Sequence, residues 1–158
     1  MNRPETPAAL ASISLAVPAS ARATVFDRLQ PYALSVLRIM AGLLFCEHGL
    51  SKQFGFPPHG AMPPFLALEW FAGCIELTGG TLVALGLLTR PAAFLMSGEM
   101  AIGYFMAHAP RGLYPVLNGG DAAILYSLIF FYFFVAGGGA WSVDRLRSPQ
   151  AAGRYATG

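Results

Sequence analysis

The stretch DAAILYSLIFFYFFVAGGGAWSVD, residues 121–144, carries no charge between Asp121 and Asp144. Its apolar part is continuous and does not alternate, so it predicts a buried or lipid-facing helix rather than a barrel strand. A helix that crosses a bilayer needs about 20 mainly apolar residues, and this run supplies them. Asp121 opens the helix, where an acid suits the positive end of the dipole. Gly137, Gly138 and Gly139 stop it, and Trp141 then falls where an amphipathic ring favours a membrane interface.

The rest of the chain agrees with that start. Hydrophobic residues make up 55% of 158 and charged residues 11%, against roughly 25% charged in a soluble domain. The mean hydropathy is +0.53. A water-soluble chain of this length cannot cover its surface with so few charges. The same numbers exclude disorder. Two cysteines are too few for a disulfide scaffold, and a net charge of +2 gives no argument for nucleic acid as a partner. The expected partner is the lipid bilayer.

Three more apolar runs occur, at residues 32–54, 65–88 and 91–108. With residues 121–136 they predict an all-α protein, a four-transmembrane-helix bundle with short loops and flexible termini. Prolines and glycines sign the breaks: Pro57, Pro58, Pro63 and Pro64 in the first loop, and Pro110 through Gly120 in the third. At the middle turn, Thr89 is expected to cap the third helix, with Pro91 just inside it. Residues 1–30 and 145–158 read as tails around a membrane domain at 31–144. Arg3, Arg22, Arg28, Arg90, Arg145, Arg147 and Arg154 fall on one side of such a bundle, against Lys52 and Arg111 on the other. That bias puts both termini in the cytoplasm. Ala21-Arg22-Ala23 has the form of a cleavage site, but the weak apolar stretch before it and the preceding Glu5 argue for a tail instead.

Ionisable residues inside the runs are the unusual feature, because each costs about 2.5–3.5 kcal/mol at the bilayer centre. A rise of 1.5 Å per residue puts Arg38 about 9 Å deep, Glu99 about 12 Å and Glu76 about 18 Å from the cytoplasmic ends. At 100° per residue, Arg38, Gly42, Phe45, Gly49 and Lys52 form one stripe. Glu69, Gly73, Glu76 and Gly80 form a second, and Met96, Glu99, Gly103 and Met106 a third. Turned inward, these stripes make a polar seam, with glycines allowing close helix approach. Arg38 is expected to pair with Glu99 or Glu76, either as chemistry or only to fix helix register. Lys52 and Glu69 lie near the outer interface, where solvation and snorkelling are expected. Glu47 points away from the seam, towards the headgroups or another subunit.

Other constellations carry less. Cys46 and Cys74 come out at one depth, which a redox pair would need, although a membrane cysteine is usually an apolar filler. His48 and His108 also share a depth, as two axial haem ligands would; their faces do not converge, which argues against haem. The run Phe130-Phe131-Tyr132-Phe133-Phe134 encircles its helix and reads as packing and lipid contact. No metal-ligand spacing, phosphate loop or nucleophile motif is present. An outer-side cavity is expected from His48, Lys52, Glu69, His108 and Asp121.

Short motifs in a fixed order add a resemblance. They are Leu37-Arg38, then His48-Gly49-Leu50-Ser51-Lys52, then Glu76-Leu77-Thr78-Gly79-Gly80 and Leu85-Gly86-Leu87-Leu88-Thr89-Arg90. Asn118-Gly119-Gly120-Asp121 and Gly137-Gly138-Gly139-Ala140-Trp141-Ser142-Val143-Asp144 complete the set. In these the chain resembles the DoxX family of small bacterial integral membrane proteins. The resemblance implies a four-helix membrane bundle in the cytoplasmic membrane. It also implies links to quinone-coupled sulfur oxidation, to complexes handling oxidative stress, and to membrane-protein assembly. Its motif positions carry over as Arg38, His48, Lys52, Glu76 and Asp121, the last standing where Glu is frequent. Glu99 rests on the residue reading alone. Three functions follow as expectations. The first is an accessory subunit of a quinone- or thiol-linked redox system, with no complete active site of its own and a redox-enzyme partner or a second copy beside it. The second is a small transporter or proton-conducting protein. The third is an assembly scaffold.

Overall fold

The computed structural model describes residues 24–58 and 60–147. The N-terminal segment with its cleavage-like Ala21-Arg22-Ala23 and the tail after Arg147 lie outside the described residues. Among the described residues every regular element is helical. They are α1 (Val25–Phe54), α2 (Leu68–Leu85), α3 (Thr89–Gly103), α4 (Pro115–Asn118), α5 (Asp121–Ala136) and α6 (Val143–Arg147). A π-helical turn (Tyr104–His108) and a 3-10 turn (Ala109–Arg111) continue α3. Two helices, α1 and α2, are long and apolar enough to cross a membrane, and α5 is a shorter apolar helix.

Helix α1 starts seven residues before the apolar run because Thr24 and Asp27 form a capping box. The Asp27 N–H donates to Thr24 Oγ1 at 3.3 Å, and the Thr24 N–H donates to Asp27 Oδ2 at 2.7 Å. Pro31 is therefore inside the helix. Helix α2 ends at Leu85, not Leu88, because Gly86 takes a left-handed conformation (φ 69°) and closes the C-cap. Helix α5 begins at Asp121 and stops before Gly137, the limits its sequence predicts.

Helices α1 and α2 pack antiparallel along their glycines. A Cβ at Gly42 would lie 2.6 Å from the Ala84 nitrogen, one at Gly80 2.8 Å from the Cys46 nitrogen, and one at Gly49 2.5 Å from the Leu77 nitrogen. Helix α3 packs against α5, and α2 meets α3 where Gly79 accommodates Met96. Phe45, Val83, Ala93, Met96, Phe130 and Phe133 form the core. Outward faces remain apolar: Val36, Leu43 and Leu44 of α1, and Leu125, Leu128 and Phe131 of α5, are all exposed. Apolar exposure on this scale marks a surface that meets lipid or another protein.

The inward stripes of α1 and α2 are buried, except for Glu69, which is exposed, and Lys52, which is partly exposed. The α3 stripe turns in only as far as Glu99. Gly103 has open space beside it and Met106 is exposed. The π-helical turn that starts at Tyr104 adds residues per turn and rotates the later positions out of phase.

One end of the bundle is closed by a clamp. Arg38 is fully buried. Its Nε donates to the Gly138 carbonyl at 2.8 Å, and its Nη2 donates to the Trp141 carbonyl at 2.6 Å. Its Nη1 donates to the Ala84 carbonyl at 2.6 Å and to the Val83 carbonyl. Arg38 thus pairs with neither Glu76 nor Glu99, contrary to the sequence expectation. The end of α2 leaves carbonyls without helical partners, and a guanidinium beside a helix C-terminus satisfies both their bonding and the dipole. Nearby, Trp141 donates its N–H to Ser35 Oγ at 3.0 Å, and Ala140 donates its N–H to the Pro31 carbonyl at 2.9 Å.

Thr89 is the first residue of α3 rather than its side-chain cap. Asp144 takes that role across the fold, accepting the Leu88 and Thr89 N–H groups at 2.8 Å each. Burial opposes ionisation of Asp144. The hydrogen bonds from Thr89 and Leu88 and the charge of Arg147 outweigh it and hold the carboxyl below its usual value. A carboxyl depressed on folding stabilises above its unfolded value, and that stability is lost as pH falls through the folded value. The melting temperature should therefore drop on acidification below the ordinary carboxylate range. Asp144→Asn should lower it at neutral pH and flatten part of the acid response. An unchanged pH profile in that variant would contradict the cap.

Candidate functional site

The opposite end of the bundle holds the remaining ionisable residues. Lys52 lies in the last turn of α1, and Gly73 of α2 leaves room for its stem: a Cβ there would sit 2.8 Å from Lys52 Cβ. Lys52 Nζ donates to Glu76 Oε1 at 2.6 Å, with Lys52 33% and Glu76 3% exposed. Lys52 thus pairs with a buried carboxylate while remaining partly exposed, where its depth predicts solvation alone. The sequence missed this because the pairing depends on the α1–α2 register.

Glu99 joins the same cluster. Three residues from the Gly79–Met96 contact along each antiparallel helix lie Glu76 and Glu99, which puts them at one level. The depths read from sequence separated them because α2 was carried to Leu88. Glu99 interacts electrostatically with Glu76 and Lys52. Both Glu99 oxygens and Glu76 Oε2 are buried without a hydrogen-bond partner. The seam therefore consists of Lys52, Glu76 and Glu99, and Arg38 belongs to the clamp.

Beside Lys52 opens a cavity of about 390 Å³, lined by His48, Ser51, Lys52, Glu69 and loop residues 61–64. The loop contributes Met62, Pro63 and Pro64, so the lining mixes apolar loop residues with polar residues of α1 and α2. Glu69 is in the first turn of α2 and exposed. His48 packs its ring against Phe45 and Tyr126, each at 6.4 Å between centroids.

Two of the residues expected around this cavity line no part of it. His108 Nδ1 is 3.1 Å from the Asn118 carbonyl, and its ring stacks on Tyr104. Asp121 is exposed at the start of α5. The two histidines thus have separate ring neighbours, and no cluster of three or more metal-ligating side chains occurs among the described residues. Cys46 and Cys74 do not share a level. Cys46 lies opposite Gly80, six residues along α2 from Cys74, which is about 9 Å along the axis. Both thiols are free. Of the aromatic run, Phe130 and Phe133 are core and Phe131 is exposed.

A larger cavity, about 480 Å³, lies at the clamped end. Its charged lining is Asp27, Arg90, Asp144 and Arg145. Asp144 caps α3 and Arg90 donates to the Phe134 carbonyl at 3.1 Å, so this cavity is part of the clamp.

The DoxX family profile matches residues 33–109. The chain is 43% identical over 126 residues to an uncharacterized protein of Haemophilus influenzae, covering 75% of this chain and 92% of that one. It is 32% identical over 145 residues to an uncharacterized membrane protein of Mycobacterium tuberculosis, covering 77% and 85%.

The chain belongs to the DoxX family.

The matched DoxX segment contains Arg38, His48, Lys52, Glu76, Glu99 and His108, and with them the whole charged cluster. Asp121 and the Gly138–Asp144 half of the clamp lie beyond it. No solved structure matches the chain.

Proposed function

We propose that this DoxX protein is a four-span bundle of the bacterial cytoplasmic membrane with both termini cytoplasmic. In this reading it serves as an accessory subunit of a quinone- or thiol-linked redox system. The continuation of α3 through Tyr104–His108 and the apolar faces of α5 support the third and fourth spans. The observation that carries the functional reading is the cavity at the Lys52 end. Its lining combines an imidazole, an ammonium and a carboxylate with proline and methionine. A quinone presents two ring oxygens on an otherwise apolar body, and such a ligand suits a mostly apolar pocket with a few placed polar groups. The ring nitrogens of His48 can donate or accept a hydrogen bond at a quinone oxygen. In this reading electrons pass to a redox centre on a partner.

The test is the quinone content of protein purified from bacterial membranes, measured per polypeptide against an unrelated membrane protein prepared alike. The expected result is quinone well above that background in the wild type and loss to background in His48→Ala and Lys52→Met. Wild-type content at background would overturn the reading.

The buried Lys52–Glu76–Glu99 cluster favours a second reading, proton movement across the membrane. Proton flux into liposomes tests it. Arg38, fully buried at the other end and bonded to four backbone carbonyls, supports a site reached from one side only.

A further inference from the structure

We propose that Glu76 and Glu99 form a buried proton-binding site, in which Glu99 is the neutral acid and Glu76 the carboxylate paired with Lys52. This inference rests on the cluster alone and stands whether or not a quinone occupies the cavity.

Three observations carry it. Glu76 is 3% exposed and spends one oxygen on Lys52, while its Oε2 is buried without a partner. Both oxygens of Glu99 are likewise buried and without a donor. The hydroxyls that might have served are committed elsewhere: Ser97 Oγ donates to the Ser127 carbonyl at 2.8 Å, and Ser127 Oγ donates to the Ser97 carbonyl at 3.1 Å. The cluster therefore holds two carboxyls and one ammonium. An isolated carboxylate in an apolar interior is expensive, and a second carboxylate beside it adds repulsion. One proton on the pair removes both costs.

The surrounding groups do not supply a second counter-charge. On α1 the ionisable residues at this end are Lys52 and His48, with Glu47 exposed on another face. On α2 they are Cys74, Glu76 and the exposed Glu69. The continuation of α3 carries Tyr104 and His108, whose Nδ1 lies 3.1 Å from the Asn118 carbonyl. Helix α5, which packs on α3, carries no charge after Asp121; its ionisable residue beside His48 and Phe45 is Tyr126. Arg38, the other buried cation, is consumed by backbone carbonyls at the far end. Lys52 is partly exposed and lines the cavity, so it links the proton site to the side that His48 faces.

Dicyclohexylcarbodiimide, an apolar reagent, provides the test. A neutral carboxyl transfers its proton to a carbodiimide nitrogen, and the carboxylate oxygen then bonds the central carbon. The adduct rearranges to a stable acylurea that peptide mass spectrometry locates. In wild-type protein in membranes at neutral pH, Glu99 should be labelled ahead of the exposed Glu47 and Glu69. In Glu76→Gln, Lys52 is left with Glu99 as its counter-ion. Labelling of Glu99 should then fall by about tenfold or more, the size expected for removing a neighbouring like charge. In Lys52→Met, the site should take a second proton and labelling should spread to Glu76. Infrared spectra of the same samples should show the neutral-acid carbonyl stretch in wild type, its loss in Glu76→Gln, and its increase in Lys52→Met. Absence of both the label and the stretch in wild type would overturn the proposal. So would labelling indifferent to both variants. Labelling suppressed by sodium in place of choline would also overturn it, by assigning the site to a metal cation.

Discussion

Gly49→Ala is expected to prevent the bundle from assembling. The added carbon would sit 2.5 Å from the Leu77 nitrogen and 2.7 Å from its Cα. Overpacking costs about 1–3 kcal/mol where side chains can shift. Here the obstruction is the backbone of α2, which cannot move without parting the helices. Gly42→Ala should act similarly, since its carbon would meet the Ala84 nitrogen at 2.6 Å. Gly98→Ala is the control. Nothing lies within 4 Å of its added carbon, and alanine favours a helix over glycine by about 0.5–1 kcal/mol. The measurement is the monodisperse fraction after detergent extraction, with its melting temperature. Gly98→Ala should match or exceed wild type, while Gly49→Ala and Gly42→Ala should lose most folded protein. A Gly49→Ala protein melting like wild type would mean that α1 and α2 do not meet in this register.

Arg38→Leu should be nearly as damaging, for a different reason. It removes the donor to the carbonyls of Val83, Ala84, Gly138 and Trp141 together. The Val83 carbonyl keeps the Gly86 N–H at 3.0 Å, and leaving each of the other buried acceptors unpaired costs about 1–3 kcal/mol. Arg38→Lys should recover only part, because an ammonium cannot span the fork of a guanidinium. The partner test is decisive. Adding Glu76→Gln or Glu99→Gln to Arg38→Leu should rescue nothing. In contrast, Glu76→Gln should rescue stability lost in Lys52→Met, since that change leaves the buried Glu76 without its counter-ion and forces it to take up a proton. Rescue of Arg38→Leu by either glutamine would restore the Arg–Glu pairing that the structure replaces.

Much of the fold was legible because it is written locally. The charge-free run after Asp121 and the glycines at 137–139 gave α5 its limits. The glycine stripes of α1 and α2 pointed to the faces that meet. The start of α1 is also written locally, in the capping-box spacing of Thr24 and Asp27 ahead of the apolar run. The candidate site was legible as residue types and less so as partners. His48, Lys52 and Glu69 do share a cavity; His108 and Asp121 lie elsewhere.

The sequence by itself determined that this is a helical membrane protein of the DoxX family, because hydropathy, glycine stops and short motifs act within a turn or two of themselves. It also marked Arg38, Glu76 and Glu99 as residues whose burial needs an explanation. Only the tertiary structure decided what answers each of them. Glycine contacts set the register between α1 and α2, which brings Lys52 to Glu76. The early end of α2 at Gly86 lifts Glu76 to the level of Glu99 and bares the carbonyls that take Arg38. A shift of a single residue in either feature would turn these side chains to other faces, and that sensitivity is why depth counted along one helix could not choose the partners.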